Sequence, residues 1–494
     1  MPPRWQVMIP AGRGSGNGAF GARGLGALLL AAVAAGCGGK SDAPRHLLLF
    51  SFDTLRADAL GCYGQPLDTS PHLDRFAAGG VLFEQAFTHS PKTAPAHLAM
   101  LTGLYPRTHR VGNLETAGEQ RLSADVPTLA EWLVRAGFHT AGFTDGGNVT
   151  GSLGFERGFE RFTDRHTPFD QRLGEVLAWL EDEAVDASRW FAFAHTYAVH
   201  DPYFSGARFR KRFVREGYQG DLIGDSKALA AVISAGDDRA PKVSPGRKLV
   251  ANFWRRQDLD APEDLTYLQE LYLAGVAQAD EQWGAFLKKF EQLEQAEETL
   301  LVATSDHGEE FGEHGRTRHD QLFEEILRVP LIVRVPGAEY AGSRIAAPVR
   351  HVDLVPSVLD LLGVSDGVSA SFFQGQSWAE WLVDGAPAQP RPVYAEHRSL
   401  TRNDLDLWVL RQGDRSAHLS RAGLEAFDLA LDGAEQRPLA AEPLWLGEFE
   451  RVAAEQRAEL DKRSKQFAPA AGPKNSSARA RSELEALGYM EEQE

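Results

Sequence analysis

Three segments of this sequence carry side chains whose types could bind a metal ion and attack an ester. Segment 90–103 contains Thr93, a candidate hydroxyl nucleophile at the predicted start of a helix that has Pro95 in its first turn and Gly103 after its end. Unpaired N–H donors and the positive end of the helix dipole suit an alkoxide or an anionic ester at this position. Read alone, Thr93 is also explained as the N-cap of that helix, a common place for threonine.

The other two segments follow apolar runs of the kind that form strands buried on both faces. Each run leads into residues of metal-ligating types: Asp53 after run 46–52, and Asp306 and His307 after run 299–304. The carboxyl ends of parallel strands form the ligand-binding edge of open α/β sheets. Two carboxylates and one imidazole, with the Thr93 hydroxyl as a fourth ligand, therefore predict a site for one divalent metal. The alternative is that Asp306 and His307 form only a turn or a cap.

Strand-like runs alternate with helical stretches over most of the chain. The strand candidates are 46–52, 138–143, 190–196, 299–304 and 329–335, and the clearest helices are 127–136, 171–183, 352–362 and a stretch with an apolar stripe from Leu268 to Leu287. This alternation predicts an α/β fold with a doubly wound, mainly parallel sheet flanked by helices. Short β-like runs after residue 375 predict a small C-terminal α+β subdomain.

Changes in composition along the sequence predict five parts of the chain. The predicted parts are a lipoprotein signal peptide at 1–36, a tether at 37–45, a catalytic domain at 46–375, the small-sheet subdomain at 376–463, and a flexible tail with a short terminal helix at 464–494. Within the catalytic domain, residues 204–262 are polar and poorly periodic. We interpret them as an insertion over the mouth of the site, either part of a lid or a solvated surface excursion.

The N-terminal segment has the features of an export signal. Arg13 and Arg23 precede an apolar run at 24–35 that is too short to span a bilayer. The small residues that follow end at Cys37, as in a bacterial lipoprotein cleavage site. We therefore expect an exported protein, lipid-anchored through Cys37 to a membrane of a bacterial cell envelope, in the periplasm or at the cell surface. Ordinary signal cleavage and an unstructured tail are the alternatives.

The formal net charge of −17 limits the classes of partner. So acidic a chain argues against nucleic acid and against an anionic membrane face as the main partner. Membrane contact is then expected only through the N-terminal lipid. An anionic small substrate is not excluded, because it responds to local charge.

The motifs resemble the sulfatase family of the alkaline phosphatase superfamily. Segment 52–58 resembles the family's first strand and loop, and Thr-Ala-Pro-Ala-His at 93–97 lies where sulfatases carry Cys/Ser-x-Pro-x-Arg. Segment 305–309 is similar to the second metal motif. The resemblance covers most of the chain and implies a metal-dependent hydrolase of small-molecule or glycan sulfate or phosphate esters.

Thr93 departs from the sulfatase pattern in a way that changes the chemistry. The family's sulfatases oxidise the motif Cys or Ser to formylglycine, and the methyl group on Cβ prevents Thr93 from becoming that aldehyde. Thr93 would act as a plain alkoxide, and water would then attack the resulting ester. Phosphorus accepts two successive in-line attacks readily. The residue therefore favours phosphate or phosphonate esters, whereas the family resemblance favours sulfate esters.

Two further departures affect the donor groups and the metal. His97 replaces the motif Arg, and it would serve as a weaker, titratable donor or as the base that takes the Thr93 proton. Thr54 replaces a second metal-binding Asp, and His307 replaces an Asn. This ligand set favours Zn²⁺ or Mn²⁺, with Ca²⁺ possible by family. The pattern resembles the phosphonate monoester hydrolase branch.

The resemblance also implies roles for three residues outside the metal cluster. Asn113 is expected to bind substrate, and His200 or His319 to protonate the leaving oxygen. Lys92, next to Thr93, is a further candidate for substrate binding. Asn113 is otherwise a turn residue, and His200 a surface residue at a strand end. Three neighbours compete with His319 for its role: His314, Arg316 and Arg318.

The sequence thus predicts a sulfatase-family ester hydrolase that uses Thr93 on a single divalent metal. Three alternatives stay open: a phosphotransferase of the same superfamily, a true sulfatase working inefficiently through Thr93, and an inactive sulfatase-like lipoprotein that binds a glycan. The presence of all the predicted metal ligands favours an active enzyme.

Overall fold

The structure is a computed structural model that describes residues 43–113, 120–243, 247–338, 340–383, 385–398, 406–468 and 470–471. The predicted signal peptide, Cys37 and the predicted terminal helix lie outside these residues. Within the described ranges, no helix is both long enough and apolar enough to cross a membrane.

Strands and helices alternate along the described chain. The strands are β1 (His46–Phe52), β2 (Val81–Phe83), β3 (Ala86–Phe87), β4 (Gln120–Arg121), β5 (His139–Thr144), β6 (Arg161–Asp164), β7 (Trp190–Thr196), β8 (Thr299–Ser305), β9 (Glu310–Phe311), β10 (Thr317–Arg318), β11 (Arg328–Val329), β12 (Leu331–Arg334), β13 (Ser343–Ile345), β14 (Val349–Arg350), β15 (Val393–Arg398), β16 (Asp406–Gln412), β17 (Arg415–Ser420), β18 (Gly423–Asp428) and β19 (Ala470–Ala471). The α-helices are α1 (Pro71–Ala78), α2 (Thr93–Thr102), α3 (Pro106–His109), α4 (Leu129–Arg135), α5 (Phe169–Asp182), α6 (Ala207–Phe213), α7 (Ser226–Ser234), α8 (Lys248–Trp254), α9 (Pro262–Phe290), α10 (Glu324–Leu327), α11 (Leu354–Leu361), α12 (Ala379–Val383) and α13 (Leu446–Ser464).

The central sheet confirms the predicted α/β class. Its order over the described residues is β13-β2-β12-β8-β1-β7-β5-β6. The strands β8, β1, β7, β5 and β6 run parallel to one another. The prediction of one strand over 329–335 was wrong in detail, because the run forms β11 and β12, and β12 is antiparallel to β8.

Both faces of the sheet are covered, which explains the unbroken apolar character of its central strands. Leu47 and Leu49 of β1 face one apolar cluster, whereas Leu48 and Phe50 face another. This alternation follows from the period of two along a strand. The first cluster includes apolar residues of α2 and α11, and the second those of α5 and α9. The predicted stripe from Leu268 to Leu287 is buried on α9, as expected for core packing.

The C-terminal subdomain is an antiparallel meander of β15, β16, β17 and β18. One face packs on α13, where Trp408 and Leu410 meet Phe449. Arg107 of α3 ties this subdomain to the body of the protein. Its Nε lies 2.7 Å from Glu396 Oε2, a fully buried contact.

Residues 204–243 and 247–262 contain more regular structure than their sequence pattern predicts. They contain α6, α7 and α8, and each helix buries at least one apolar side chain: Phe209 and Phe213 on α6, Leu229 on α7 and Phe253 on α8. The helices are too short for a clear period to emerge from the sequence. Most of the other described side chains of the segment are exposed or half-buried, so both interpretations of it, part of a lid or a solvated surface excursion, stay predictions.

Candidate metal centre and active site

The carboxyl ends of β1 and β8 bring the predicted metal ligands together. The two strands are adjacent and parallel, with Phe52 opposite Ser305 in the register. Asp53, Asp306 and His307 follow directly and are fully buried. Their ligand atoms lie within 4.8 Å of one another. The strand pattern thus selected three residues that the fold places in one cluster.

Each of the two carboxylates of this cluster has one oxygen without a hydrogen-bond donor among the described residues. Asp53 Oδ1 and Asp306 Oδ2 are buried and accept no hydrogen bond from the described residues. Burial and the nearby Asp306 raise the pKa of Asp53 well above its usual range, and burial raises the pKa of Asp306 to about 7. Two buried carboxylates this close do not both ionise without a cation. The donor set therefore fits a divalent metal, whose binding would displace the shared proton.

His307 presents a lone pair to the same cluster. Its Nδ1 lies 3.0 Å from the Gly308 carbonyl oxygen and donates to it, so Nε2 is the unprotonated nitrogen. Nε2 is 3.2 Å from Asp306 Oδ2 and 3.4 Å from Thr93 Oγ1. Burial lowers the pKa of His307 well below its usual value. The ring is therefore neutral and suited to bind a metal.

Thr93 is the first helical residue of α2 and not its N-cap. Lys92 has an extended backbone, and its carbonyl accepts the first helical hydrogen bond, from Ala96 N at 3.0 Å. The interpretation of Thr93 as only an N-cap was therefore wrong. The hydroxyl hydrogen-bonds to Asp53, which opposes the rise in the pKa of that carboxyl. The candidate nucleophile thus contacts both halves of the cluster.

Asn113 and Lys92 flank the start of α2. Asn113 is buried, and its Oδ1 accepts a hydrogen bond from Ala94 N at 2.8 Å. Asn113 therefore pairs with a backbone N–H group in the first turn of α2. Lys92 Nζ lies 2.5 Å from Asp320 Oδ1, and this pairing holds the pKa of Asp320 below its usual range.

His97 supports the segment that carries Thr93. Its Nδ1 lies 2.9 Å from the Thr93 carbonyl oxygen, one helical turn earlier, and its Nε2 lies 2.9 Å from Ser51 Oγ. Both ring nitrogens are thus engaged. Burial lowers the pKa of His97 to about 4, so the ring is neutral near pH 7 and does not supply the permanent charge of an Arg.

His200 and His319 lie beside the cluster in a row of imidazoles. The ring centroids of His307 and His319 are 4.5 Å apart, and those of His319 and His200 are 5.7 Å apart. His319 Nδ1 is 2.9 Å from the Pro91 carbonyl oxygen. His200 Nδ1 is 2.7 Å from Asp201 Oδ1. Two competitors of His319 contact other groups, since His314 stacks on Phe323 and Arg318 lies over Trp254.

His195 belongs to the site but was missed from the sequence. It lies in β7, and its Nε2 is 3.2 Å from Asp53 Oδ2. A single His in an apolar strand gives no periodic signal. The available signal was its place one residue before the end of a predicted strand. Burial and the neighbouring His97 lower its pKa well below the usual value.

Comparison with known proteins places the cluster in a family. The family described as Sulfatase matches residues 45–364, which include every cluster residue. Iduronate 2-sulfatase from Mus musculus is 26% identical over 367 residues, spanning 63% of this chain and 63% of that protein. The chain therefore covers less than two thirds of that relative. Choline-sulfatase from Rhizobium meliloti is 25% identical over 428 residues, spanning 76% of this chain and 78% of the relative.

Two solved structures share the fold. One is a protein solved in complex with its substrate, D-glucosamine-2-N,6-O-disulfate. It superposes with a TM-score of 0.67 at 20% identity, and the match covers 87% of this chain and 99% of that protein's chain. The other is the phosphonate monoester hydrolase of Agrobacterium radiobacter, with a TM-score of 0.63 at 22% identity, covering 86% of this chain and 96% of that one. At these identities the likeness concerns the fold.

Proposed function

The chain belongs to the sulfatase family, and from this premise we propose that it is a metal-dependent ester hydrolase with Thr93 as its nucleophile. The observation that carries the proposal is the place of the Thr93 hydroxyl. It lies 3.4 Å from His307 Nε2 and hydrogen-bonds to Asp53, inside a buried cluster suited to a divalent metal. A threonine held only for packing would have no reason to contact a metal-ligand set.

We propose phosphate or phosphonate esters as the preferred substrates, with sulfate esters turned over more slowly. Thr93 has no route to formylglycine, so its ester is cleared only by attack of water at the transferred group. Phosphorus tolerates this second attack better than sulfur does. Relatives named as sulfatases and a phosphonate monoester hydrolase of the same fold support both ester classes.

Each side chain of the site is proposed to carry out a different part of the reaction. Asp53, Asp306, His307 and Thr93 would hold the metal, which would lower the pKa of the hydroxyl and neutralise charge on the transferring oxygens. Thr93 Oγ forms a bond to phosphorus while the bond to the leaving oxygen breaks. A water molecule then attacks the Thr93 ester and regenerates the hydroxyl.

His200 or His319 gives the proton to the leaving oxygen. Burial and the neighbouring His307 lower the pKa of His319 well below its usual value. An anionic ester bound beside the ring would raise that pKa again, because a nearby opposite charge favours the protonated form. General acid catalysis of this kind contributes about 10²–10⁴-fold in rate. Asn113 and Lys92 are proposed to bind the ester oxygens.

A substrate panel tests the proposal. Purified protein is assayed on aryl sulfate, aryl phosphate monoester, phosphodiester and phosphonate monoester, with Zn²⁺, Mn²⁺ and Ca²⁺ in turn. We expect a phosphorus ester to be preferred, Thr93→Ser to keep measurable activity and Thr93→Ala to lose it. A clear preference for aryl sulfate would contradict the substrate class, and equal activity of wild type and Thr93→Ala would exclude Thr93 as nucleophile. Transfer of the phosphoryl group to an added alcohol would instead identify a phosphotransferase. Binding of a sulfated glycan without turnover would identify an inactive relative.

We also propose that Cys37, which lies outside the described residues, anchors the exported protein to the cell envelope. Expression of the full chain in a bacterial host with radiolabelled palmitate is the test. Label on the wild type and none on Cys37→Ser is expected, whereas equal labelling of both would exclude Cys37.

A further inference from the structure

His195 lies beside the metal cluster, in contact with Asp53. It is on β7, directly opposite Ser51 of β1 in the parallel register. Its side chain is fully buried, and Nε2 lies 3.2 Å from Asp53 Oδ2. None of the proposed catalytic steps uses this residue, although it contacts a predicted metal ligand.

The contact fixes which ring nitrogen of His195 carries the proton. When Asp53 is ionised, as it would be with a metal bound, Nε2 donates to its carboxylate, because two unprotonated acceptors 3.2 Å apart would repel each other. Nδ1 is then the unprotonated nitrogen, and it has no hydrogen-bond partner among the described residues. An unpaired lone pair is tolerated better in a buried site than an unpaired N–H. The hydrogen bond therefore runs from His195 to Asp53.

The ring of His195 is held rigidly by its neighbours. It meets His97 edge-on, with ring centroids 4.8 Å apart at 87°. It meets Tyr197 in the same way, with centroids 4.7 Å apart at 89°. The residue also sits on a central strand paired on both sides. A donor fixed in this way restricts the carboxylate that accepts from it.

We propose that His195 is a positioning residue for the metal, an inference that rests on the metal site of the proposed function. It holds Oδ2 of Asp53 and thereby leaves Oδ1, which accepts no hydrogen bond from the described residues, for the cation. Such outer partners orient metal ligands, and their loss typically costs about 10–100-fold in metal affinity. His195 acts through Asp53 and does not touch the ester.

A competing explanation is a second metal bound by Asp53, His97 and His195. Their ligand atoms also lie within 4.8 Å of one another. Both ring nitrogens of His97 are already engaged, with the Thr93 carbonyl and with Ser51. A metal there would also leave a buried Nδ1–H of His195 without an acceptor among the described residues. One metal per chain is therefore expected.

Metal titration of matched variants tests the proposal without reference to turnover. The metal-free protein is titrated with Zn²⁺ alone, and stoichiometry and Kd are compared for wild type, His195→Asn and His195→Gln. The amide nitrogen of Gln reaches the place of Nε2, whereas that of Asn reaches only the place of Nδ1. His46→Asn, which removes a buried imidazole at the other end of β1, serves as the control.

We expect one Zn²⁺ per chain, a Kd raised about 10–100-fold by His195→Asn, and a Kd near that of wild type for His195→Gln and His46→Asn. Equal Kd values for wild type and His195→Asn would overturn the positioning role and leave the proposed function standing. If the wild type bound two Zn²⁺ and both His195 variants bound one, the positioning role would be overturned in favour of a second metal site at Asp53, His97 and His195. A wild type that binds no metal would overturn both this inference and the metal-dependent mechanism.

Discussion

Asp306→Asn is expected to make the metal-free protein more stable while weakening its metal binding. Asp306 is fully buried beside Asp53, and its Oδ2 accepts no hydrogen bond from the described residues. An Asn in its place keeps an oxygen that can accept the 3.1 Å hydrogen bond from Thr54 N. It removes a buried carboxyl whose ionisation, without a metal, only destabilises the fold.

The size of the effect follows from the pKa of Asp306. Burial raises that pKa from 3.8 to about 7. A raised carboxyl pKa means that the folded state binds the proton more tightly than the unfolded state. The resulting penalty is absent below the unfolded pKa, grows as the pH rises, and is complete above pH 7. Three pKa units correspond to on the order of 4 kcal/mol, a ceiling for the stabilisation of metal-free Asp306→Asn above pH 7.

Unfolding by denaturant in the presence of a metal chelator, repeated at several pH values, measures this difference in the free energy of unfolding. At pH 8 the metal-free variant should be more stable than metal-free wild type, and near pH 4 the two should converge. Zn²⁺ at more than about 1,000 times the wild-type Kd should reverse the order at pH 8, because it adds more than about 4.1 kcal/mol to the protein that binds it. Asp280→Asn, a buried carboxyl on α9, should retain the full response to metal. A metal-free Asp306→Asn protein that is less stable than wild type at pH 8 would contradict the predicted penalty from the buried Asp306 carboxylate.

Three further predictions concern other parts of the molecule. Burial lowers the pKa of His46 to about 4, so wild-type stability should fall as the pH drops from about 6.5 to 4. His46→Asn should remove up to about 3 kcal/mol of that dependence in denaturant titrations. Gly308→Ala would place a Cβ 1.9 Å from the Glu325 carbonyl oxygen. It should destabilise the protein by about 1–3 kcal/mol in the same assay and weaken Zn²⁺ binding. Arg107→Ala leaves the buried Glu396 without its Arg107 partner and with the Tyr394 hydroxyl still donating to it, so it should cost about 3–5 kcal/mol and speed hydrogen exchange in the C-terminal subdomain. Unchanged values in any of the three would contradict the corresponding contact.

Much of the scaffold was predictable because its strongest signals are local. The run 190–196 matches β7 residue for residue, and run 299–304 falls one residue short of β8. Both strands are buried on both faces, so composition alone marks them. The convergence of Asp53, Asp306 and His307 followed from a simple rule, since neighbouring parallel strands end at one edge of the sheet.

The parts that the sequence did not predict depend on contacts between distant segments. The direction of β12 is set by the connection from β8, which contains a short hairpin and α10 in place of a crossover helix. Parallel pairing needs such a crossover. His195 enters the site through the pairing of β7 with β1, and the contacts of His97 with Ser51 and with the Thr93 carbonyl arise only in the folded chain.

The most direct test of the account is to trap the ester on the nucleophile. Metal-loaded protein is mixed with an aryl phosphonate monoester, quenched in acid during turnover, and digested for mass spectrometry, with Thr93→Ala treated in parallel. We expect a phosphonyl adduct on Thr93 of the wild type, together with loss of turnover and of the adduct in Thr93→Ala. An adduct on another residue, or turnover by Thr93→Ala at the wild-type rate, would contradict this expectation.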